Sequence, residues 1–150
     1  MPNLKRSSRR GLAIAAAGCL AACQGAADDG AVTADNAQLF DAITAGETIR
    51  LTGNEPFWGG TITASTLTYT TPENMDGEVV QVERFDGLGG LGLSGRLEGQ
   101  SLDIAMTEEP CSDTMSDRTY PFSVILRIGD DTRQGCAWTA ARPFEGPAAP

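Results

Sequence analysis

No histidine occurs in this 150-residue chain. Without an imidazole, nucleophilic catalysis of the Ser–His–Asp or Cys–His kind is excluded in its usual form. Long apolar runs are missing too. The run at Gly11–Ala22 has twelve residues, against the roughly twenty that a helix needs to cross a bilayer. Basic residues are few and unevenly placed: Lys5, Arg6, Arg9 and Arg10 stand before that run, whereas all 20 acidic residues follow Cys23. Removing those four from the 11 basic residues leaves 7 against 20 acidic ones, a formal charge of −13 beyond residue 22. Such a surface repels nucleic acid and anionic headgroups, so no nucleic-acid partner is expected; it attracts cationic partners or simply keeps the protein soluble.

What is present begins with a basic segment, then the apolar run, then small residues ending at a cysteine, the order of a secretory signal. Leu20-Ala21-Ala22-Cys23 resembles a bacterial lipobox. That resemblance implies cleavage before Cys23, acylation of its thiol and anchoring of the chain to a membrane through lipid, which several acyl chains make effectively permanent. Ala16-Ala17-Gly18-Cys19 is a poorer second match, and an ordinary secretory signal cleaved nearby is the alternative. Ser8-Arg9-Arg10 is similar to a twin-arginine signal, though Gly11-Leu12-Ala13 fits that pattern only in part. Gln24 follows the cysteine where, in enteric bacteria, Asp favours inner-membrane retention, so the resemblance implies the outer membrane, facing the periplasm. On this reading Cys19 leaves with the signal and Cys23 is taken by lipid. Cys111 and Cys136 then remain in an oxidising compartment, and a disulfide between them is expected, worth roughly 3–4 kcal/mol by chain entropy. Two cysteines without a histidine make no zinc site, and no cofactor is expected.

Along the chain, residues 1–22 read as the signal and 23–34 as a flexible tether of Gly, Ala, Asp and Thr spanning on the order of 15–20 Å. Residues 35–142 read as the folded domain, and 143–150 as a disordered tail. Asp35-Asn36-Ala37-Gln38 resembles a helix cap, with Leu39, Phe40 and Ile43 on one face and Gly46 as the stop, so one short N-terminal helix is expected. Beyond Glu47 the period becomes alternating. Strands are expected near 47–53, 57–63, 66–71, 78–85, 91–97, 101–107, 120–128 and 134–139. Glu98-Gly99-Gln100 supplies a tight hairpin and Thr71-Pro72 to Gly77 a longer loop. Leu102, Ile104 and Met106 share one face, as a half-buried antiparallel strand requires. The fold class is therefore mainly β, a small antiparallel barrel or sandwich of about eight strands.

Gly87-Leu88-Gly89-Gly90-Leu91-Gly92 matches G-x-G-x-x-G, but a strand-like run follows it where a dinucleotide site needs a helix. The glycines are expected to allow a bulge, a sharp bend or a close backbone approach. Glu108, Glu109, Asp113 and Asp117 could act as acid and base only if they flanked a bond. Asp113 and Asp117 could share calcium, yet the EF-hand pattern is absent. No catalytic constellation is complete, so the chain is not expected to be an enzyme. The stretch from Cys111 to Phe122 has two readings. Ser112, Asp113, Ser116 and Asp117 can cap turns through side chain to backbone bonds while Arg118 pairs with a carboxylate. Alternatively the loop is a rigid recognition element presenting Arg118 and Tyr120, residue types frequent at interface hot spots.

Cys111-Ser112-Asp113-Thr114-Met115-Ser116-Asp117-Arg118-Thr119-Tyr120-Pro121, with Gly135-Cys136-Ala137 and the upstream Gly53-Asn54-Glu55-Pro56-Phe57-Trp58, resembles a family of uncharacterised bacterial envelope lipoproteins found beside or fused to META-type domains. The resemblance spans about Leu51 to Ala137. That family usually has Gly where this chain has Thr114, which implies a different backbone at that turn. The expectation it supports is a non-enzymatic envelope binding or stress-related lipoprotein, with Glu55, Trp58, Asp113, Asp117, Arg118 and Tyr120 as candidate binding residues. An alternative is an inhibitor of lysozyme of the membrane-bound type, whose acidic surface would speed encounter with a cationic enzyme. The Ser-Gly-containing loop of those inhibitors is echoed faintly by Ser94-Gly95-Arg96. Carboxylate-based glycan cleavage is a third reading.

Overall fold

Alternation of apolar and polar residues over eight short runs, each ended by a turn sequence, lets each strand fold back on the last. In the computed structural model, which describes residues 37–147, the strands are β1 (Ile49–Asn54), β2 (Phe57–Thr63), β3 (Thr66–Thr71), β4 (Asn74–Asp86), β5 (Leu91–Leu97), β6 (Gln100–Thr107), β7 (Phe122–Ile128) and β8 (Asp131–Thr139). They pair in chain order, all antiparallel, and β8 returns to β1 to close a barrel. Closure distinguishes the barrel from the sandwich that the sequence also allowed. The signal segment, Cys23, the tether, the cap at Asp35-Asn36 and residues 148–150 lie outside the described residues.

Three expectations need correction. Ala37 to Gly46 carries no helix; it is irregular chain with a turn at Ala45-Gly46. Ile43 is buried in the barrel core, the Phe40 amide donates to the Gly87 carbonyl at 2.8 Å, and Arg84 donates to the Ile43 carbonyl at 2.6 Å. Tertiary bonds thus take the backbone groups that a helix would have used. The expected loop from Thr71 to Gly77 shrinks to a turn at Pro72-Glu73, because β4 begins at Asn74. The tail expected from Pro143 is folded through Pro147: Thr119 and Glu145 exchange backbone bonds of 2.9 and 2.8 Å.

Hairpin chemistry follows the residues. Glu98 and Gly99 both have positive φ, 49° and 84°, as a type I′ turn requires. At Gly90 a Cβ would fall 2.2 Å from the Met106 carbonyl oxygen, so the G-x-G-x-x-G run serves close backbone approach between two strands. Inward positions of every strand fill the interior. Leu102, Ile104 and Met106 of β6 are buried there with Leu67, Phe122 and Leu126, as expected of an eight-stranded barrel whose bore is just wide enough for side chains.

Two ladders stop short. Between β1 and β8 the pairs run from Ile49↔Thr139 to Thr52↔Cys136, although β1 continues to Asn54 and β8 reaches back to Asp131. Between β4 and β5 they run from Asp86↔Leu91 to Val82↔Gly95, while β4 starts eight residues earlier, at Asn74, and β5 ends at Leu97. The strands part at both seams, and the two are treated differently.

Candidate functional site: the disulfide-pinned loop on the outer wall

On β8 the inward residue Ala137 joins the core, so strand parity turns Cys136 and Trp138 outward. Those two side chains are the floor on which the β6–β7 connection, residues 108–121, is laid. Cys111 bonds Cys136 as a disulfide with Cα atoms 5.6 Å apart. Cys111 and Tyr120 exchange backbone hydrogen bonds of 2.9 and 2.8 Å, closing the base of the loop. The Tyr120 ring lies 5.2 Å from Trp138 and 5.6 Å from Phe144, and Trp138 lies 5.8 Å from Phe144. These three rings form a small aromatic cluster outside the barrel, with spacings in the range where ring pairs attract.

Asp113 organises the loop tip. Its carboxylate accepts from the Met115 amide at 3.1 Å, the Ser116 amide and hydroxyl at 2.8 Å each, and the Tyr120 hydroxyl at 3.0 Å. Desolvation pulls the Asp113 pKa upward, but those four donors outweigh it and hold the group at about 2, below its ordinary 3.8. Asn54, at the end of β1, donates from its side-chain amide to the Asp113 carbonyl and the Thr114 hydroxyl. Thr114 adopts φ 60°, the left-handed conformation that glycine favours and β-branched residues avoid. The turn therefore keeps a glycine-like backbone in spite of the threonine. The Ser112 hydroxyl accepting from the Thr114 amide at 3.1 Å, together with the Asn54 bond, offsets the cost.

The candidate binding residues divide accordingly. Asp113 and Tyr120 meet, but inside the loop's own scaffold: Tyr120 is buried and presents no ring to a partner. Arg118 lies 4.4 Å over the Phe144 ring and donates to the Pro147 carbonyl at 2.9 Å. Asp117 is exposed on the same loop, and Glu55 is exposed in the β1–β2 turn beside Asn54, following which the Glu55–Pro56 bond is cis. Trp58 is not a surface group. β2 parity places it inside, 4% exposed, stacked on Tyr69 with centroids 6.3 Å apart. Glu108 is tied to Arg142 at 2.6 Å and Asp113 is taken up by the loop's own donors. Asn54, Trp138 and Phe144 complete the site and were not among the candidates. The outward parity of Trp138 next to inward Ala137 is the signal that could have found it; nothing in its local sequence marks Phe144.

A groove of about 280 Å³ runs under the loop tip between Asn54, Ser112, Thr114, Ile125 and Gln134. A second, of about 380 Å³, lies between Pro110, Tyr120, Arg142 and Glu145. Comparison with family models, with curated proteins and with solved structures found no match.

Proposed function

We propose that this chain is a lipid-anchored protein of the bacterial cell envelope, facing the periplasm from the outer membrane, whose barrel is a non-enzymatic binding module using the pinned loop as its contact surface. The observation that carries this reading is the extent to which residues 111–120 are organised in advance. A disulfide, a two-bond bridge, four bonds to one carboxylate and an aromatic cluster hold a loop whose outer side chains, Met115 and Asp117, face solvent. Ordering a loop before a partner arrives removes part of the entropy cost of binding. Anchoring rests on the lipobox-like Leu20-Ala21-Ala22-Cys23.

A photo-reactive side chain at Met115, in the full-length chain expressed in bacteria, tests the contact surface. A discrete cross-linked partner that disappears with Asp113→Ala supports the reading; cross-links unaffected by that change would remove the loop from it. Incorporation of a palmitate analogue that is lost in Cys23→Ser tests the anchor. Lysozyme inhibition is the second reading, favoured by the excess of acidic over basic residues beyond Cys23. Ser94-Gly95-Arg96 lies within β5 and not in a loop, so an inhibitor built on this barrel would have to act through the loop at 111–120. Slowed clearing of a peptidoglycan suspension that survives high salt and is lost with Arg118→Ala would favour it. No effect removes it.

A further inference from the structure

Among the described residues, the seam between β4 and β5 leaves a strand edge open. The Val82 amide donates to the Ser65 carbonyl at 2.9 Å, and the β3–β4 register continues through Val80↔Leu67 and Glu78↔Tyr69. Hydrogen-bonded and non-bonded pairs alternate in an antiparallel ladder. Residues 78, 80 and 82 therefore direct their backbone groups to β3, and Val79 and Gln81 direct theirs toward β5. There the register has already ended at Val82↔Gly95. A Cβ at Gly95 would fall 2.6 Å from the Gln81 carbonyl oxygen, so β5 still lies against that carbonyl and the strands part beyond it, toward Val79. The outer mouth of the gap is a groove of about 580 Å³ lined by Gln81, Glu83, Ser94 and Arg96. Val79 is 65% exposed and Met75 76%.

Charge decides what fits. Between Thr71 and Glu83 the chain carries Glu73, Asp76, Glu78 and Glu83 and no basic residue. Arg84, the next cation along the chain, is held by Asp86 at 2.8 Å, and Arg96 across the groove donates to the Gly99 carbonyl at 2.7 Å. A second copy of this edge would bring acids against acids. We propose that the open edge of β4 leading up to Val79 takes an extended segment of a basic polypeptide as an added strand, paired through backbone bonds. On such a strand one row of side chains meets exposed Val79 and the other meets Glu78, so a segment alternating apolar and cationic residues satisfies both. This surface lies on other strands than the pinned loop, and the proposal does not depend on how the chain is anchored.

The test uses the isotope-labelled full-length chain and synthetic peptides. A short peptide alternating valine and lysine is expected to shift amide resonances of residues 78–83 and 94–96. A twin N-methylated at every second residue, unable to donate along one edge, should bind at least about tenfold more weakly, the loss of roughly one to two net hydrogen bonds. Glu78→Gln, at a half-buried carboxylate with no partner among the described residues, should weaken binding about two- to fivefold, as for a single partly screened charge. A valine–glutamate peptide should not bind. Equal binding of the N-methylated twin would reduce the attraction to diffuse charge and overturn the proposal. Absence of shifts with the valine–lysine peptide would overturn it too, leaving acids and the Gly77 turn as protection of the edge. Concentration-dependent self-association with shifts on β4 would assign the edge to a second copy and overturn it equally.

Discussion

The two seams of this barrel start from the same defect and end differently. At β1/β8, as at β4/β5, the ladder stops while both strands run on. The first is sealed from both sides. Inside, the Trp58 indole crosses the gap and donates to the Gln134 carbonyl at 3.2 Å. Glycines at 53 and 135 make room for it, since a Cβ there would fall 2.0 and 2.7 Å from indole atoms. Outside, the Asn54 amide and the loop carrying Cys111, Asp113 and Thr114 cover the same place. At β4/β5 no indole and no loop intervenes among the described residues, and the groove lies beside exposed Val79. A strand edge costs stability only if its polar groups are buried without partners. A seam can therefore be closed by an internal donor or left to water, and the choice decides which face of the barrel is rigid.

If Trp58 is the inner seal, its loss should be the most damaging single change. Trp58→Ala leaves a cavity between Gly53 and Gly135 and strands the Gln134 carbonyl, for an expected cost of about 3–5 kcal/mol. Chemical denaturation checks it, and a cost under 1 kcal/mol would mean that the seam is held elsewhere. Opening the outer seal comes next. Cys111→Ser with Cys136→Ser removes a cross-link between residues 25 apart in sequence, worth roughly 3 kcal/mol by loop entropy. In that double variant the hydrogen exchange of residues 111–120 should rise to solvent-like rates while β6 remains protected. Uniform loss of protection would show that loop and barrel unfold as one unit.

Much of this contrast could be read before any fold was known, and some could not. Seven of the eight strands lie within about three residues of their expected limits, because alternation with Gly, Pro and Asn punctuation is a local signal. The disulfide followed from compartment and cysteine count. Trp58 stood among the candidate binding residues, although an aromatic beside a proline turn is usually core; parity of β2, counted from Ile62 inward, turns it to the core. The short helix failed for a different reason. Leu39, Phe40 and Ile43 have helical spacing, but Ile43 is needed in the barrel core and Phe40 packs edge-on against Phe122 at 6.3 Å, and tertiary packing overrides weak propensity. The aromatic cluster brings Tyr120, Trp138 and Phe144 together from three separate segments, and the seams depend on where register ends. Both are non-local facts with no local trace.

Acid should act on the sealed seam through Asp113. Its carboxyl is held down to about 2 in the folded chain against an ordinary 3.8. The ionised form is thus the one the fold prefers, and the stabilisation is complete above about pH 4 and lost as pH falls through 2. Tyr120→Phe deletes one of the four donors. It should cost about 1.5 kcal/mol at neutral pH, as for a hydrogen bond to a charged group, and the deficit should shrink as pH falls toward 2, where Asp113 is half protonated in the wild type and more so in the variant. Urea midpoints measured from pH 7 down to pH 2 follow both curves. A deficit that stays constant across that range would assign the tyrosine's role to its ring contacts alone.

The smallest effect is expected at the open seam, and its smallness is what separates the two. Val79 is an outward residue whose backbone groups face the gap, and its side chain touches no core position. Val79→Thr keeps the β-branched shape and the strand preference while removing apolar surface that water already covers, so stability should change by less than about 0.5 kcal/mol. The same chemical step at an inward position of the same strand, Val80→Thr, buries a hydroxyl among aliphatic side chains and should cost about 1–3 kcal/mol. Equal costs at the two positions would mean that the β4 edge is covered in the folded chain. The distinction between a seam closed by protein and a seam open to a partner would then collapse.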